Sequence, residues 1–204
     1  MESDYGPEYR AKVIFLGDQA VGKTSLIKRY KDNFFDGNYQ QTMGAAFFRF
    51  TQSYNGSNVA IDVFDTAGQE QYRSISPFYY HDAQACVCVF DVSEKASFES
   101  VDQWINDIQN NTNSTNPIIF IVGNKSDKAN CSFKTEAMEY ANSLGSGILF
   151  TSAKTGDNVE YLFKLIFDTI CSNKIFEGSV ICEEKLDLKP KTDEGNPPTH
   201  KKCC

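Results

Sequence analysis

Short apolar runs alternate along the chain with segments whose apolar residues recur at helical spacing. Apolar residues at positions i, i+3 and i+4 predict amphipathic helices over residues 95–110 and 158–172. Six other runs have the length and composition of β-strands: residues 12–17, 45–53, 58–64, 84–91, 117–123 and 147–152. Strands that alternate with helices predict an α/β fold with a mostly parallel sheet.

Local signals refine this pattern. Asn55-Gly56 separates the second and third strands and is typical of a tight hairpin, so that pair is predicted to be antiparallel. The fourth and fifth strands are apolar at successive positions, which is typical of strands buried on both faces. Asp157 and Glu160 have the spacing of a capping box at the start of the last helix. The apolar stripe of the helix over 95–110, Trp104 included, is interpreted as core without chemistry of its own.

A phosphate-binding motif follows the first strand. Residues 17–24 are Gly-Asp-Gln-Ala-Val-Gly-Lys-Thr, an uninterrupted match to G-x-x-x-x-G-K-[ST] between a strand and a helix. In such a loop, backbone N–H groups surround phosphate oxygens, Lys23 reaches the β- and γ-phosphates, and the Thr24 hydroxyl ligates Mg²⁺. The alternative is an ordinary glycine turn, which the flanks and the Lys-Thr pair disfavour. The predicted nucleotide contacts are Gln19, Ala20, Val21, Gly22, Lys23, Thr24 and Ser25.

A second group of candidate residues surrounds the end of the third strand. Asp65 is predicted to hold Mg²⁺ through a water, and Gly68 to bring its backbone N–H against the γ-phosphate. Gln69 follows at once, with an amide suited to orienting an attacking water. Taken alone, this segment is also compatible with a strand-ending turn. Thr42, before the second strand, is either a ligand of Mg²⁺ and the γ-phosphate or a turn residue, and its spacing leaves both interpretations open.

Polar side chains at the ends of the last two strands predict the base. Asp127 can accept two parallel hydrogen bonds from the Watson–Crick edge of guanine, whereas adenine would present an acceptor to the carboxylate. The N–H of Ala153 can donate to guanine O6, and the aliphatic stems of two lysines can cover the ring faces. Each tetrapeptide is weak alone, but both lie where open α/β sheets bind ligands. The base-binding candidates are Asn124, Lys125, Asp127, Ser152, Ala153 and Lys154.

These motifs, in this order, resemble those of the Ras superfamily of small GTPases, and of its Rab branch in particular. The resemblance covers about residues 10–173 and the double-cysteine ending. It implies a P-loop G domain: a six-stranded, mostly parallel sheet with one antiparallel edge strand and helices on both faces. The function it implies is a switch that alternates between GDP and GTP, uses Mg²⁺, hydrolyses GTP slowly and recruits effectors in vesicle traffic.

The resemblance also assigns roles to residues. It implies catalysis by Gln69, Lys23 and Thr42, and metal binding by Thr24, Thr42 and Asp65. Phe35 would pack edgewise on the guanine. No arginine of the chain is an obvious arginine finger. A GTPase-activating partner that supplies one would therefore accelerate hydrolysis by about 10³–10⁵-fold. The sequence Gly-Ala-Ala-Phe after Thr42 most resembles the early-endocytic Rabs.

Four positions depart from the family pattern. Rabs usually carry Trp at Phe64, which with Phe47 and Tyr79 would form the aromatic triad that effectors contact, so effector preference is expected to differ. His81-Asp82 replaces the usual Arg-Gly. Gln19 stands where Ras-type proteins need Gly for fast hydrolysis, so slow turnover is expected.

Two rival functions remain. A nucleotide-locked binding module is supported only by Gln19, and a P-loop ATPase or kinase lacks support from the base site.

Composition limits the partners and the compartment. The net charge of −7 disfavours a nucleic-acid partner. The 41% hydrophobic content of the 204 residues predicts one globular core. Without an export signal, the seven cysteines, with the exception of the terminal pair Cys203-Cys204, are predicted to be reduced cytosolic thiols. We predict a flexible N-terminus over 1–9, a GTPase domain over 10–173 and a flexible tail over 174–204.

The chain ends in Cys203-Cys204, which resembles the Rab double geranylgeranylation signal. Two lipids anchor stably where one binds marginally, whereas the alternative is a pair of exposed thiols. The resemblance then implies a prenylation escort, a GDP-dissociation inhibitor, a nucleotide exchange factor, a GTPase-activating protein and effectors. Its expected location is the cytoplasmic face of endomembranes, endosomes above all, with cycling through the cytosol.

Overall fold

The computed structural model describes residues 9–37, 41–68, 79–111, 117–128 and 132–176. Within these ranges the chain forms one six-stranded sheet. The strands are β1 (Tyr9–Leu16), β2 (Ala45–Tyr54), β3 (Ser57–Thr66), β4 (Ala85–Asp91), β5 (Ile118–Asn124) and β6 (Ile148–Phe150). All six predicted strands are confirmed, but β1 begins three residues earlier than predicted and β6 is only three residues long.

The sheet has the order β2-β3-β1-β4-β5-β6. Only β2 and β3 are antiparallel, which confirms the prediction, and every other pair is parallel. Asn55 and Gly56 join the antiparallel pair with φ of 50° and 86°, the positive values that a type I′ hairpin requires. Because β1, β3, β4, β5 and β6 run in one direction, their carboxyl ends meet at the same edge of the sheet.

Helices cover both faces of the sheet. They are α1 (Lys23–Asp32), α2 (Lys95–Glu99), α3 (Val101–Asn111), α4 (Lys134–Ser143) and α5 (Val159–Ser172). The apolar sides of α1 and α5 pack on one face, where Phe163 stacks on Tyr30 with 3.9 Å between ring centroids. The other three helices pack on the opposite face. Every residue of β4 is buried, as predicted for a strand covered on both sides.

Two helix predictions need correction, and a third helix had no predicted bounds. The helix predicted over 95–110 is two helices, because the chain turns at Ser100. The capping box is wrong: no side chain caps α5, and Asn158 at its start has φ of 57°. Asn158 rather than Asp157 is the N-cap of α5, so Glu160 is the second helical residue and not the third, as the capping box requires. The helix α4 went unpredicted because its buried stripe consists of two alanines, Ala137 and Ala141.

The buried cysteines Cys86, Cys88 and Cys171 are free thiols, as predicted. The sulfur atoms of the first two lie 3.6 Å apart, well beyond the length of a disulfide bond. Near the end of the described chain, Phe176 stacks on Tyr9 with 4.7 Å between ring centroids. Packing therefore continues at least to residue 176, three residues past the predicted domain boundary.

Candidate nucleotide-binding site

A cleft of about 330 Å³ opens at the edge where the parallel strands end. It brings together segments that are far apart in sequence: the loop after β1, the chain before β2, the end of β3 and the loops after β5 and β6. The predicted contacts that line it are Gln19, Ala20, Gly22, Lys23, Thr24, Ser25, Phe35, Thr42, Gly68, Asn124, Lys125, Asp127, Ala153 and Lys154.

The phosphate loop depends on glycine at its final turn. Gly22 precedes α1 with φ of 100°, and a Cβ built there would lie 2.3 Å from Asn124 Nδ2. Residues with a side chain rarely adopt a φ of 100°, and Asn124 leaves no room for a Cβ at this position. The residue therefore lets the loop enter the helix while in contact with the base-binding side of the cleft.

Lys23 is held inside the loop that it follows. Its Nζ donates to the carbonyl oxygens of Gly17 at 2.7 Å and Asp18 at 2.9 Å. Burial lowers the pKa of Lys23 to about 8, although the nearby carboxylates of Asp65 and Asp18 act in the opposite direction. The ammonium is therefore mostly charged at neutral pH, and loop carbonyls fix it at the floor of the cleft.

Three oxygen-bearing side chains meet beside this lysine. The Thr24 hydroxyl donates to Asp65 Oδ2 at 2.6 Å and lies 2.7 Å from the Thr42 hydroxyl. Asp65 is fully buried, and its Oδ1 has no hydrogen-bond partner in the described structure. Burial raises the pKa of Asp65, which Thr24 and Lys23 partly offset. The spacing of Thr42 left its role open, and the fold places its hydroxyl at the phosphate loop.

Gly68 packs directly against the phosphate loop. A Cβ at this position would lie 2.4 Å from the carbonyl carbon of Asp18 and 2.5 Å from the carbonyl oxygen of Gly17. Backbone atoms cannot yield as a flexible side chain can, so only glycine allows the chain after β3 to approach this closely. Gln69, the residue that follows, lies outside the described residues.

Asn124 connects the phosphate loop to the loop after β6. Its Nδ2 donates to the Val21 carbonyl at 2.8 Å, and its Oδ1 accepts the Ala153 N–H at 3.2 Å. The N–H predicted to meet guanine O6 is therefore already held by the protein. Asp127 accepts a hydrogen bond from Ser152 Oγ at 2.6 Å and lies 3.8 Å from Lys154 Nζ.

Three residues that were predicted to contact the nucleotide do not line the cleft but support residues that do. Val21 is buried and presents only its carbonyl to Asn124, Ser152 is buried and orients Asp127, and Asp65 lies beneath Thr24. Lining residues that the sequence did not suggest are Lys28, Phe34, Asp36, Gly37, Gln41, Thr66 and Lys128.

Asp91, at the end of β4, is a functional neighbour that motif analysis missed. Its Oδ2 lies 2.7 Å from Lys125 Nζ and 3.3 Å from Lys128 Nζ. Burial alone would raise the pKa of Asp91, but hydrogen bonds from Lys125 and Ser93 outweigh it and lower the pKa to about 2. An acidic residue at the end of a buried strand, the same signal that identified Asp65, would have revealed it.

Trp104 also has more than a packing role. The indole is almost fully buried on α3, as predicted, but its Nε1 donates to Asp18 Oδ1 at 2.9 Å. Helix α3, which packs on the face of the sheet opposite α1 and α5, thereby holds Asp18, the second residue of the phosphate loop. The apolar pattern predicted the burial and carried no signal for this polar contact.

The predicted effector triad lies outside the cleft. The rings of Phe47 and Phe64 are 5.4 Å apart at an interplanar angle of 69°, and those of Phe64 and Tyr79 are 6.3 Å apart. Phe47 is 53% exposed, so the cluster offers an aromatic edge to solvent.

Comparison with known proteins agrees with this geometry. The Ras family model matches residues 12–172. The chain is 41% identical to the Ras-related protein RABF2b of Arabidopsis thaliana over 155 residues, which cover 75% of this chain and 77% of that protein. It is 34% identical to the Ras-related protein Rab-21 of Geodia cydonium over 192 residues, or 93% of this chain and 74% of that protein.

The fold and the cleft define a P-loop G domain, and the chain belongs to the Ras family of small GTPases. Within that family it is a Rab protein: a GTPase that binds and hydrolyses GTP and regulates membrane traffic. The expectations of fold, family and activity are therefore confirmed, and the nucleotide-locked module is not favoured.

A double-mutant cycle on Trp104→Phe and Asp18→Ala should give a coupling energy of about 1.5–3 kcal/mol, because the bond joins a buried donor to a carboxylate. The measurement is the free energy of unfolding in urea at fixed GDP and Mg²⁺. A control cycle on Tyr140→Phe and Asp102→Ala removes an exposed hydrogen bond of the same kind, 3.1 Å long. A coupling for the Trp104 pair no larger than the control coupling would show that the contact does not stabilise the loop.

Proposed function

We propose that the cleft binds GTP and GDP with Mg²⁺ and that Thr42 and Gln69 make its surroundings depend on the third phosphate. The observation that carries the proposal is the cluster of Thr24, Thr42 and Asp65, which joins the chain before β2 to the phosphate loop. A contact that forms only with the third phosphate would make the order of this segment depend on the nucleotide.

The metal proposal rests on the same three side chains. Two hydroxyls and a carboxylate are hard oxygen ligands of the kind that Mg²⁺ prefers. The unpartnered, buried Asp65 Oδ1 fits a cation, because a buried polar atom without a partner is otherwise costly. Once bound, the ion would neutralise phosphate charge.

The proposed hydrolysis depends mainly on positioning. The buried ammonium of Lys23 would stabilise negative charge on the phosphates, and Gln69 would orient the attacking water. Gln69 is assigned from its position directly after Gly68 and from the family resemblance. Gln19 lines the cleft. We propose that its bulk slows turnover, so that a GTPase-activating protein resets the switch.

At the base end, Asp127 would pair with guanine N1–H and the 2-amino group, and the Ala153 N–H, which donates to Asn124 Oδ1 at 3.2 Å, would be shared with O6. Ser152 supports this role, because it holds one carboxylate oxygen of Asp127 in place. Lys125 is tied to Asp91 by its ammonium, which leaves its stem along the cleft as a cover for the ring. Phe35 would pack on the ring edge.

Asp127→Asn is expected to weaken GDP binding about 100-fold, because the carboxamide keeps one acceptor and sets its NH₂ group against the 2-amino donor of guanine. The Asn amide can donate to the C2 carbonyl of xanthine, so affinity for xanthosine diphosphate should rise. Competition binding with both nucleotides measures the change in preference. Asp157→Asn, an exposed carboxylate in the neighbouring loop, is the matched control. Unchanged guanine selectivity in Asp127→Asn would remove Asp127 from the base site.

Gln69→Leu is expected to slow single-turnover GTP hydrolysis by about tenfold to a hundredfold, because the water loses its orienting group. GTP affinity should be unchanged, and hydrolysis in both proteins should require Mg²⁺ and stop in EDTA. Gln52→Leu, on the exposed edge strand, is the control and should hydrolyse at the wild-type rate. Equal rates for wild type and Gln69→Leu would rule out the proposed role of Gln69.

The location and partners extend the same proposal. No helix of the described residues has the length and apolar character needed to cross a bilayer. Rab relatives associate peripherally with endomembranes and act through regulators and effectors. We propose that Cys203 and Cys204 carry prenyl groups, that an escort and a GDP-dissociation inhibitor carry the lipidated chain, and that an exchange factor loads it. Effectors would contact Phe47, Phe64 and Tyr79, and endosomes are the proposed compartment.

Mass spectrometry of the protein isolated from eukaryotic cells should show two prenyl groups on the terminal cysteines. Replacing Cys203 and Cys204 by Ser should move the protein from the membrane fraction to the cytosol, since neither lipid then remains. Cys182→Ser changes a cysteine outside the motif and should leave membrane association intact. Association that survives the double replacement would contradict the proposed anchor.

A further inference from the structure

Arg29, on the last turns of α1, makes an unusual set of contacts for a helix residue. Its Nε donates to the Ala153 carbonyl at 2.7 Å, and its Nη2 donates to the Lys154 carbonyl at 2.5 Å. A third donor, Nη1, reaches the Asn33 carbonyl at 3.0 Å. Three donors of one guanidinium are thus used on three backbone carbonyls of two different loops.

Two of these carbonyls belong to the loop that would recognise the base. Ala153 and Lys154 both line the cleft, and their carbonyls accept hydrogen bonds from Arg29, which does not line it. Hydrogen bonds from a charged donor are stronger than neutral ones, and the planar fork fixes two acceptors in one geometry. Arg29 therefore constrains where the Ala153 N–H lies.

The third contact reaches a second segment that lines the cleft. Asn33 ends α1 with φ of 49°, and the chain then leads to Phe34 and Phe35, which line the cleft. The guanidinium carbon of Arg29 also lies 6.0 Å from the centroid of the Phe35 ring, within the range of a cation–π contact. One side chain thereby holds both the Phe35 wall and the Ala153 loop.

We propose that Arg29 is a positioning residue that fixes the distance between these two walls and so limits the release of guanine nucleotides. The inference rests on the proposed base site. Arg29 lies two turns after Lys23 on the same helix, so it also transmits the position of the phosphate loop to the base loop. It touches backbone and Phe35 rather than the proposed position of the nucleotide, and acts through them.

The decisive experiment measures the dissociation rate of fluorescently labelled GDP from wild type, Arg29→Lys and Arg29→Gln. Lysine keeps the positive charge but cannot bridge the carbonyls of Ala153 and Lys154 while it faces the Phe35 ring. Arg29→Lys should therefore release GDP about tenfold faster than wild type, equivalent to about 1.4 kcal/mol. Arg29→Gln should release it faster still. The acceleration should be the same factor in Mg²⁺ and in EDTA, because the lost contacts lie at the base end.

Arg49→Lys is the matched control. Arg49 makes an equally short two-point contact, with both Asp62 oxygens at 2.6 Å, but on the edge strand away from the cleft. Its variant should release GDP at the wild-type rate. Selectivity for GDP over ADP supplies a readout that a purely structural role would not move. It should fall in Arg29→Lys and Arg29→Gln, because a displaced Ala153 N–H no longer opposes the adenine amino group.

Wild-type release rates in both Arg29 variants, or faster release with unchanged selectivity, would overturn the proposal. If neither variant folds, hydrogen–deuterium exchange of the wild-type protein decides instead. Residues 33–35 and 152–155 should then lose protection together when GDP is removed, and independent loss would contradict the coupling. Failure of the base site itself is distinguishable, because Asp127→Asn would then leave guanine preference intact. Failure of this inference alone leaves the Asp127→Asn shift in place.

Discussion

The side chain of Asn124 holds together the two ends of the cleft, and the rest of the site depends on that contact. One amide group binds the Val21 carbonyl of the phosphate loop and the Ala153 N–H of the base loop. Asn124 is almost fully buried, so an amide that lost either partner would leave a polar group unsatisfied in the interior. The two loops are therefore fixed relative to each other by the protein itself, and the proposed discrimination between bases would depend on this fixed arrangement.

The other contacts around the cleft extend this linkage outward. Trp104 holds Asp18 from one face of the sheet, and Arg29 holds Ala153 and Lys154 from the other. Each supporting bond originates from a helix, whereas each loop follows a strand. The loops of the cleft are thus held by helices on both faces of the sheet, and the positions of the proposed recognition groups depend on side chains that do not line the cleft.

Much of the fold and the site was predictable because those features follow local rules. Six strands, the Asn55-Gly56 hairpin and the phosphate loop each have a short-range signal in residue type or spacing. Helix α4 escaped detection because two alanines make a weak apolar stripe, and the capping box failed because Asn158 rather than Asp157 is the N-cap. Motif spacing gave no indication of Arg29, whose partner Ala153 is 124 residues away, whereas the acidic end of the buried strand β4 was an unused signal for Asp91.

The sequence by itself determined the class of the protein, since a phosphate loop, an acidic strand end and two base-binding segments occur in a fixed order. Tertiary structure alone decided how they act together. It placed the Thr42 hydroxyl 2.7 Å from Thr24, directed the Ala153 N–H to Asn124 and turned the Trp104 indole toward Asp18. The physical reason is that residue type specifies which bonds a group can make, whereas only the packing of helices on the sheet determines which distant group comes within reach.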